Sequence, residues 1–206
     1  MRADSQDHGR GRMGRSWHSP LGNCYASTII RLKPNDPQAA GLAFVVAVAV
    51  HETLQHCAPE IAFTLKWPND ILIGQAKLCG ILLERRGDAI VAGVGVNLAH
   101  YPEDIERPAT SLAAQGVTPP TPQDFVTQLA TNLRARLSDW RKSGLPAILA
   151  IWRQHAHAAG TELRASLPDG EQISGSYIGL AEDGALKLRL ADGSIRAIHA
   201  GDIFLI

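Results

Sequence analysis

Several segments of the chain alternate between hydrophobic and polar residues, which is the pattern of β-strands buried on one face. Residues 61–66 show it best, because an isoleucine, a phenylalanine and a leucine fall on one face and more polar or smaller residues on the other. The same pattern, combined with β-branched content, predicts further strands and a hairpin around Gly74. The predicted strands are residues 23–32, 61–66, 71–73, 77–84 and 89–96.

Residues 37–56 are apolar nearly all round, which predicts a buried helix. Asn35 and Asp36 can cap this helix, and Pro37 is of a type favoured in the first helical turn. Its most apolar run, residues 39–50, is shorter than the ~20 residues that cross a bilayer. We therefore expect a core helix and no membrane partner.

A second helix is predicted after residue 120. Thr121 is its expected cap and Pro122 its first residue, and large hydrophobic residues then recur on one face. Gly144 is the expected C-terminal stop. Residues 145–155 predict a second, shorter helix beyond it.

The pattern changes after Gly160, where short alternating segments are separated by Asp-Gly pairs. Such pairs begin at Asp169, Asp183 and Asp192, and each is typical of a hairpin turn. Five short strands in this space predict a small barrel. The fold class is therefore α+β with a β appendage.

The amino-acid composition argues against some classes of function. The chain has 206 residues with 20 Lys plus Arg and 20 Asp plus Glu, so the formal net charge is zero. This balance argues against a nucleic-acid coat protein and fits poorly with an RNA-binding protein. Three widely spaced cysteines form no metal-ligand pattern and indicate a reducing compartment. With no apolar signal core at the N-terminus, a cytoplasmic protein is expected.

Residues 9–15, Gly-Arg-Gly-Arg-Met-Gly-Arg, form the first candidate site; we call them the arginine loop. Glycines allow backbone N–H groups to approach an anion closely while the guanidinium groups surround it. The loop therefore suits a polyphosphate or an acyl phosphate. On its own composition, a flexible tail that touches RNA weakly is an equal alternative.

The second candidate is Lys66-Trp67-Pro68-Asn69-Asp70 with Lys77 on the following strand. Both lysines could face one pocket, although an isolated hairpin of this composition more often has a purely structural role. The third candidate is residues 93–97, Gly-Val-Gly-Val-Asn. Two glycines in a strand let a ligand lie against it, and Asn97 could hydrogen-bond a base edge.

Taken together and in this order, the motifs resemble those of the biotin protein ligase family. The family pattern GRGRxGRxWxSP is met at residues 9–20 and KWPND at 66–70. K(L/I)xGILxE follows at 77–84 and GxGxN at 93–97. The resemblance covers nearly the whole chain. It implies a class II synthetase-like catalytic domain over residues 1–158, with helices on a mixed sheet, and an SH3-like β-barrel over 159–206.

The resemblance implies a ligase that works in two steps. Biotin and ATP give biotinyl-5′-AMP and pyrophosphate, and the adenylate then biotinylates a lysine of a biotin carboxyl carrier protein. ATP and Mg²⁺ are the expected cosubstrates, with no tightly bound cofactor. No metal ligand is assigned, because the phosphates would hold Mg²⁺. Homodimers are common in the family, and the oligomeric state of this chain stays open.

Carried onto this sequence, the family's functional residues fall into groups. Lys77 and Arg12 would be catalytic, with Lys77 bridging the biotin carboxylate and the α-phosphate. Lys66 and Asp70 would shape the site where the acceptor lysine arrives. The residues expected to bind biotin are Gln6, Gly9, Arg10, Gly11, Arg12, Trp17, Lys77, Gly80 and Gly93. Those expected to bind ATP and the adenylate are Arg12, Arg15, Trp17, Lys77 and Asn97.

The chain departs from the family pattern upstream of the arginine loop. Family members usually have a strand and helix there, with a Ser/Thr-Thr-Asn segment that contacts biotin, whereas here Met1 lies eight residues before Gly9. The resemblance thus predicts a catalytic domain without its N-terminal part and without a winged helix, so no nucleic-acid partner is expected. An inactive homologue that binds ligand without turnover and a lipoate–protein ligase are the alternatives; the KWPND motif and the arginine loop favour biotin.

Overall fold

The computed structural model describes residues 1–103, 105 and 107–206. In this part of the chain the backbone forms a six-stranded sheet, a five-stranded sheet and two long helices. The first sheet has the order β1-β2-β6-β5-β4-β3. Its strands are β1 (Arg2–Ala3), β2 (Cys24–Arg31), β3 (Phe63–Lys66), β4 (Asp70–Ile73), β5 (Ala76–Arg86) and β6 (Ala89–Val96).

All strand pairs of the first sheet that the structure describes are antiparallel. The expectation of a mixed sheet is wrong in this respect, because short turns such as the one at Gly74 (φ 58°) join neighbouring strands directly. Parallel pairing occurs as isolated bridges, Leu65 with Ala156 and Lys77 with Ala109. The predicted strands 23–32, 71–73, 77–84 and 89–96 are otherwise confirmed to within a few residues at their ends.

The first long helix, α1 (Leu42–Cys57), begins later than the sequence predicts. Residues Ala39–Gly41 form a 3₁₀ turn instead. Asp36 does not cap α1, because its carboxylate accepts hydrogen bonds from the backbone N–H of Lys33 at 3.0 Å and from Arg141 Nε at 3.0 Å. Asp36 therefore links the second long helix, through Arg141, to the turn that precedes α1.

The second long helix, α2 (Pro122–Gln154), has the predicted cap and the predicted interruption. Thr121 Oγ1 accepts a hydrogen bond from the backbone N–H of Asp124 at 3.1 Å. Gly144 adopts a left-handed φ of 76° inside the assigned helix, and Pro146 follows it. The two helical segments expected on either side of Gly144 are therefore confirmed.

Both helices contribute to the hydrophobic core on one face of the first sheet. The core side of β2, β5 and β6 carries Cys24, Cys79, Ile81, Val94 and Val96, all buried. By length and hydropathy, Ala39–Cys57 could span a membrane, but 67% of its apolar window is buried inside the protein. We therefore interpret α1 as the core helix of this domain.

The second sheet has the order β10-β9-β8-β7-β11 and confirms the prediction of five short strands. Its contacts with the rest of the chain include the Nε1 of Trp67, between β3 and β4, which donates to the Gly184 carbonyl at 3.0 Å, and Phe44 of α1, which packs against Gly184. The buried Trp67 therefore has the packing role that the Trp-Pro corner suggested. The strands are β7 (Glu162–Ser166), β8 (Gln172–Leu180), β9 (Leu186–Arg189), β10 (Ile195–Ile198) and β11 (Asp202–Leu205).

Candidate active site

An open cleft of about 1840 Å³ lies on the face of the first sheet opposite the helices. Its walls are the arginine loop, the ends of β4 to β6, part of the segment 101–109 and the start of β11. The structure brings every site residue expected from the sequence to this one cleft. These residues are Gln6, Gly9, Arg10, Gly11, Arg12, Arg15, Trp17, Lys66, Asp70, Lys77, Gly80, Gly93 and Asn97.

Two glycines opposite each other on neighbouring strands form the floor of the cleft. Gly80 of β5 pairs with Gly95 of β6, and the Trp17 indole lies flat against both. A methyl group on Gly95 would lie 2.6 Å from the indole, and one on Gly80 would lie 2.9 Å from it. Only glycine at these positions lets a planar ring rest on the backbone of the sheet.

Gly95 was not among the residues expected to contact a ligand, whereas Gly93 was. A methyl group on Gly93 would find its nearest neighbour at 3.6 Å, an ordinary contact distance. Side chains two residues apart on a strand share a face, so the period of the motif at 93–97 could have pointed to Gly95 as well. Gly93 lies further along the same side of β6 and also lines the cleft.

Lys77 stands beside this floor. Its Nζ lies 2.6 Å from Asp70 Oδ1 and 5.4 Å from the centre of the Trp17 ring. Backbone hydrogen bonds hold Lys77 on its other side, from its N–H to the Pro108 carbonyl at 2.8 Å and from the Thr110 N–H to its carbonyl at 3.0 Å. The ammonium group is therefore fixed by a carboxylate, an aromatic face and a rigid backbone.

Lys66 pairs with Asp70 across β3 and β4, so both lysines of the second motif adjoin one carboxylate. Burial lowers the pKa of Lys66, and the nearby Arg107 and Lys77 lower it further, while Asp70 opposes them. Asp70 is bound to Lys77, a contact that the sequence did not predict.

The arginine loop folds as a miniature hairpin. Arg10 and Ser16 form an antiparallel bridge, and the backbone N–H of Gly11 donates to the Arg15 carbonyl at 2.7 Å. Gly9 is buried, and a side chain there would collide with the Trp17 backbone and with Ser19. The loop therefore presents its arginines from a constrained backbone. Gln6 and Arg10 are exposed at the edge of the cleft.

Asn97 is buried at the end of β6, where its Nδ2 donates to the Thr110 carbonyl at 3.0 Å. This bond anchors the segment that follows residue 99 to the sheet. The role expected for Asn97, reading adenine, stays a prediction. The hydrogen bond from Asn97 to the Thr110 carbonyl is a structural role that the sequence did not predict.

Other cleft residues were given no role of their own by the sequence: Asn69 lies inside the second motif, and Asp202 lies in the C-terminal segment. Asn69 Oδ1 accepts a hydrogen bond from Arg12 Nη1 at 3.2 Å. Asp202, on β11 of the second sheet, forms ion pairs with Arg15 at 2.9 Å and Arg107 at 3.3 Å. Among the described residues, no three His, Cys, Asp or Glu side chains form a metal-binding group.

The chain matches two family models in order. Residues 2–99 match the biotin/lipoate A/B protein ligase family, and residues 162–206 match the biotin protein ligase C terminal domain. A biotin–[acetyl-CoA-carboxylase] ligase of Mycobacterium tuberculosis is 34% identical over 98% of this chain and 76% of its own length. The chain belongs to the biotin protein ligase family.

Two further relatives define this family likeness. The bifunctional ligase/repressor of Bacillus subtilis is 32% identical over 98% of this chain, which spans 65% of that protein. A solved structure, the biotin protein ligase from Aquifex aeolicus in complex with biotin and ATP, superposes with a TM-score of 0.88. It is 27% identical, and the match covers 100% of this chain and 87% of that one. The expected biotin ligase fold with its C-terminal domain is thereby confirmed.

Proposed function

We propose that this protein is an ATP-dependent biotin–protein ligase that makes biotinyl-5′-AMP and transfers biotin to a lysine of a carrier protein. The observation that carries the proposal is the meeting of Lys77, the glycine floor and the arginine loop in one cleft. The Trp17 indole that rests on this floor offers a flat, uncharged surface to an apolar ring, and the surrounding cations suit phosphates. One cleft can therefore hold an acid and a nucleotide side by side.

In the first step, a biotin carboxylate oxygen attacks the α-phosphorus of ATP. The new bond joins this oxygen to phosphorus, the bond to the β-phosphate oxygen breaks, and pyrophosphate leaves. Fixed cations stabilise the charge that develops on the phosphate oxygens, and positioning supplies much of the remaining rate. Lys77 is the group we assign between the carboxylate and the α-phosphate; its ion pair with Asp70 and its two backbone hydrogen bonds, which fix its position beside the cleft, support this assignment.

In the second step, the lysine amine of the carrier attacks the acyl carbon of the mixed anhydride. An amide bond forms, the bond between the acyl carbon and the phosphate oxygen breaks, AMP leaves, and the attacking amine loses one proton while its other hydrogen stays as the amide N–H. Lys66 and Asp70 are the residues we assign to the entrance of the acceptor lysine. Their pairing across β3 and β4 at the cleft wall supports this assignment.

The remaining residues divide by position. We assign biotin to the part of the cleft near the floor and the base of the arginine loop. We assign the phosphates and adenine to the outer part of the cleft. Mg²⁺ would enter with ATP, because the described residues form no metal-binding group. The biotin residues are Gln6, Gly9, Arg10, Gly11, Arg12, Trp17, Lys77, Gly80 and Gly93. The nucleotide residues are Arg12, Arg15, Trp17, Lys77 and Asn97.

Three further assignments accompany this function. The partner is a biotin carboxyl carrier protein, the location is the cytoplasm, and the chain divides into a catalytic domain (1–158) and a C-terminal barrel (159–206). The second sheet begins at Glu162, which supports that division. A homodimer stays a prediction.

The deciding experiment incubates the full chain with ATP, Mg²⁺ and labelled biotin, and separates biotinyl-AMP by chromatography. Lipoate replaces biotin in a parallel reaction, and a carrier domain is then added beside a variant whose acceptor lysine is arginine. We expect adenylate with biotin but not with lipoate, and label on the lysine-containing carrier only. A well-folded sample that makes no adenylate would contradict the proposal in favour of an inactive homologue, and adenylate from lipoate alone would point to a lipoate ligase.

A further inference from the structure

The C-terminal sheet contributes a carboxylate to the cleft. Asp202, the first residue of β11, lies within ion-pair distance of arginines from two segments of the catalytic domain. Arg15 approaches to 2.9 Å and Arg12 to 3.8 Å, both from the arginine loop, and Arg107 approaches to 3.3 Å from the segment 101–109. One side chain of the second sheet therefore adjoins both walls of the cleft.

The surroundings make this cluster a fixed contact. The Asp202 side chain is only 14% exposed, and the Arg12 guanidinium also donates to the Gly201 carbonyl at 3.3 Å. Arg107 stacks on the Phe204 ring, which lies two residues further along β11, at 4.4 Å. Burial raises the pKa of Asp202, but Arg15 and Arg107 outweigh it and hold that pKa below its usual range. The Asp202 carboxylate is therefore negatively charged in its ion pairs with Arg15 and Arg107.

The charges in this cluster do not cancel. A single carboxylate cannot neutralise three guanidinium groups, so the cluster keeps positive charge on the side of the cleft where phosphates would bind. Asp202 thus organises the arginines without cancelling their attraction for an anion. An arginine that is already ordered loses less conformational entropy when a phosphate binds.

We propose that Asp202 is a positioning residue that holds Arg12, Arg15 and Arg107 against the C-terminal sheet, so that Arg12 and Arg15 are ordered for the triphosphate before ATP arrives. This inference rests on the proposed function, which it deepens by naming the residue that orders two of the nucleotide-binding arginines. Asp202 acts through the arginines and touches no reacting atom.

The test compares Asp202→Asn, Asp202→Glu and a control, Glu171→Gln, in the full chain. Glu171 also pairs with an arginine of the second sheet, Arg196 at 2.9 Å, but neither residue lines the cleft. The first readout needs no ligand, because trypsin can cleave after the arginines of the loop itself. We expect Asp202→Asn to be cleaved there about five- to tenfold faster than wild type, and Glu171→Gln to be unchanged.

The second readout is the kinetics of biotinyl-AMP synthesis. We expect Asp202→Asn to raise the KM for ATP about tenfold with kcat within about twofold, and Asp202→Glu to restore part of the loss. Thermal melting shows that each variant is folded. Wild-type cleavage and wild-type KM in Asp202→Asn would overturn the inference, as would an equal loss in Glu171→Gln. If the wild type made no adenylate, the proposed function would fail while the cleavage experiment still decided the role of Asp202.

Discussion

The two faces of strands β5 and β6 have opposite compositions. The face toward the helices carries Cys79, Ile81 and Val94, all buried in the hydrophobic core. The face toward the cleft carries Gly80 and Gly95 at adjoining positions, covered by a single indole ring. Successive side chains of a strand point to opposite faces, so neighbouring residues of one strand lie in the hydrophobic core and on the floor of the cleft. Substitutions on the two faces should therefore separate stability from activity.

Removing the positive charge of Lys77, on the cleft side, should have the largest effect on activity. We expect Lys77→Ala to lower the rate of biotinyl-AMP synthesis by about 100- to 1000-fold, because one fixed group aimed at a developing negative charge contributes a factor of that order. Circular dichroism should show a native fold. Lys187→Ala on β9, away from the cleft, is the matched control and should keep wild-type activity. Near-normal synthesis by Lys77→Ala would mean that the assignment of Lys77 is wrong.

A methyl group on the glycine floor should come second. In Gly95→Ala the new Cβ would lie 2.6 Å from the Trp17 indole, so either the ring or the ligand must move. We expect kcat/KM for biotin to fall about 100-fold, the usual cost of a misplacement of this size. The free energy of unfolding should change by only about 0.5 kcal/mol. Unchanged kinetics would show that no ligand uses this floor.

The same comparison explains how far the sequence could lead. The strands and the position of Gly144 depend on local patterns, and they were predicted because periodicity and backbone preference act within a few residues. The cap assigned to Asp36 was wrong because its partner Arg141 lies 105 residues away. Asp202 was missed for the same reason, since 187 residues separate it from Arg15. Contacts of this kind depend on how elements that are distant in the sequence pack together, and no local pattern records that.

A core-face substitution one residue from Gly95 should have the opposite effect. We expect Val96→Ala to lower the free energy of unfolding by about 2 to 3 kcal/mol, because Val96 is fully buried and its truncation leaves a cavity in the hydrophobic core. Val96 does not line the cleft, so activity per folded molecule should stay close to that of the wild type. Urea unfolding and kinetics at a temperature where the variant is folded measure the two quantities. A large loss of kcat/KM in Val96→Ala would remove the distinction between the faces.

The smallest effect concerns a histidine packed on the core side. His51 of α1 is buried, stacks on His155 at 4.0 Å between ring centres, and contacts the Phe63 carbonyl at 3.3 Å. Burial, helped by the neighbouring His155, lowers the pKa of His51 from 6.5 to about 4. The unfolded chain therefore binds a proton at a higher pH than the folded chain does, so stability present above pH 6.5 is lost as the pH falls toward 4.

Between pH 7 and 5 we expect the free energy of unfolding to fall by about 2 kcal/mol because of His51. Denaturant unfolding at several pH values should show a weaker pH dependence in His51→Gln than in the wild type, whatever the absolute loss of stability. His56→Gln is the control, since His56 is an exposed residue of the same helix. An equal slope in all three proteins would show that His51 is not the titrating group. Because His51 does not line the cleft, such a result would leave the cleft-face predictions untouched and change only the account of the core.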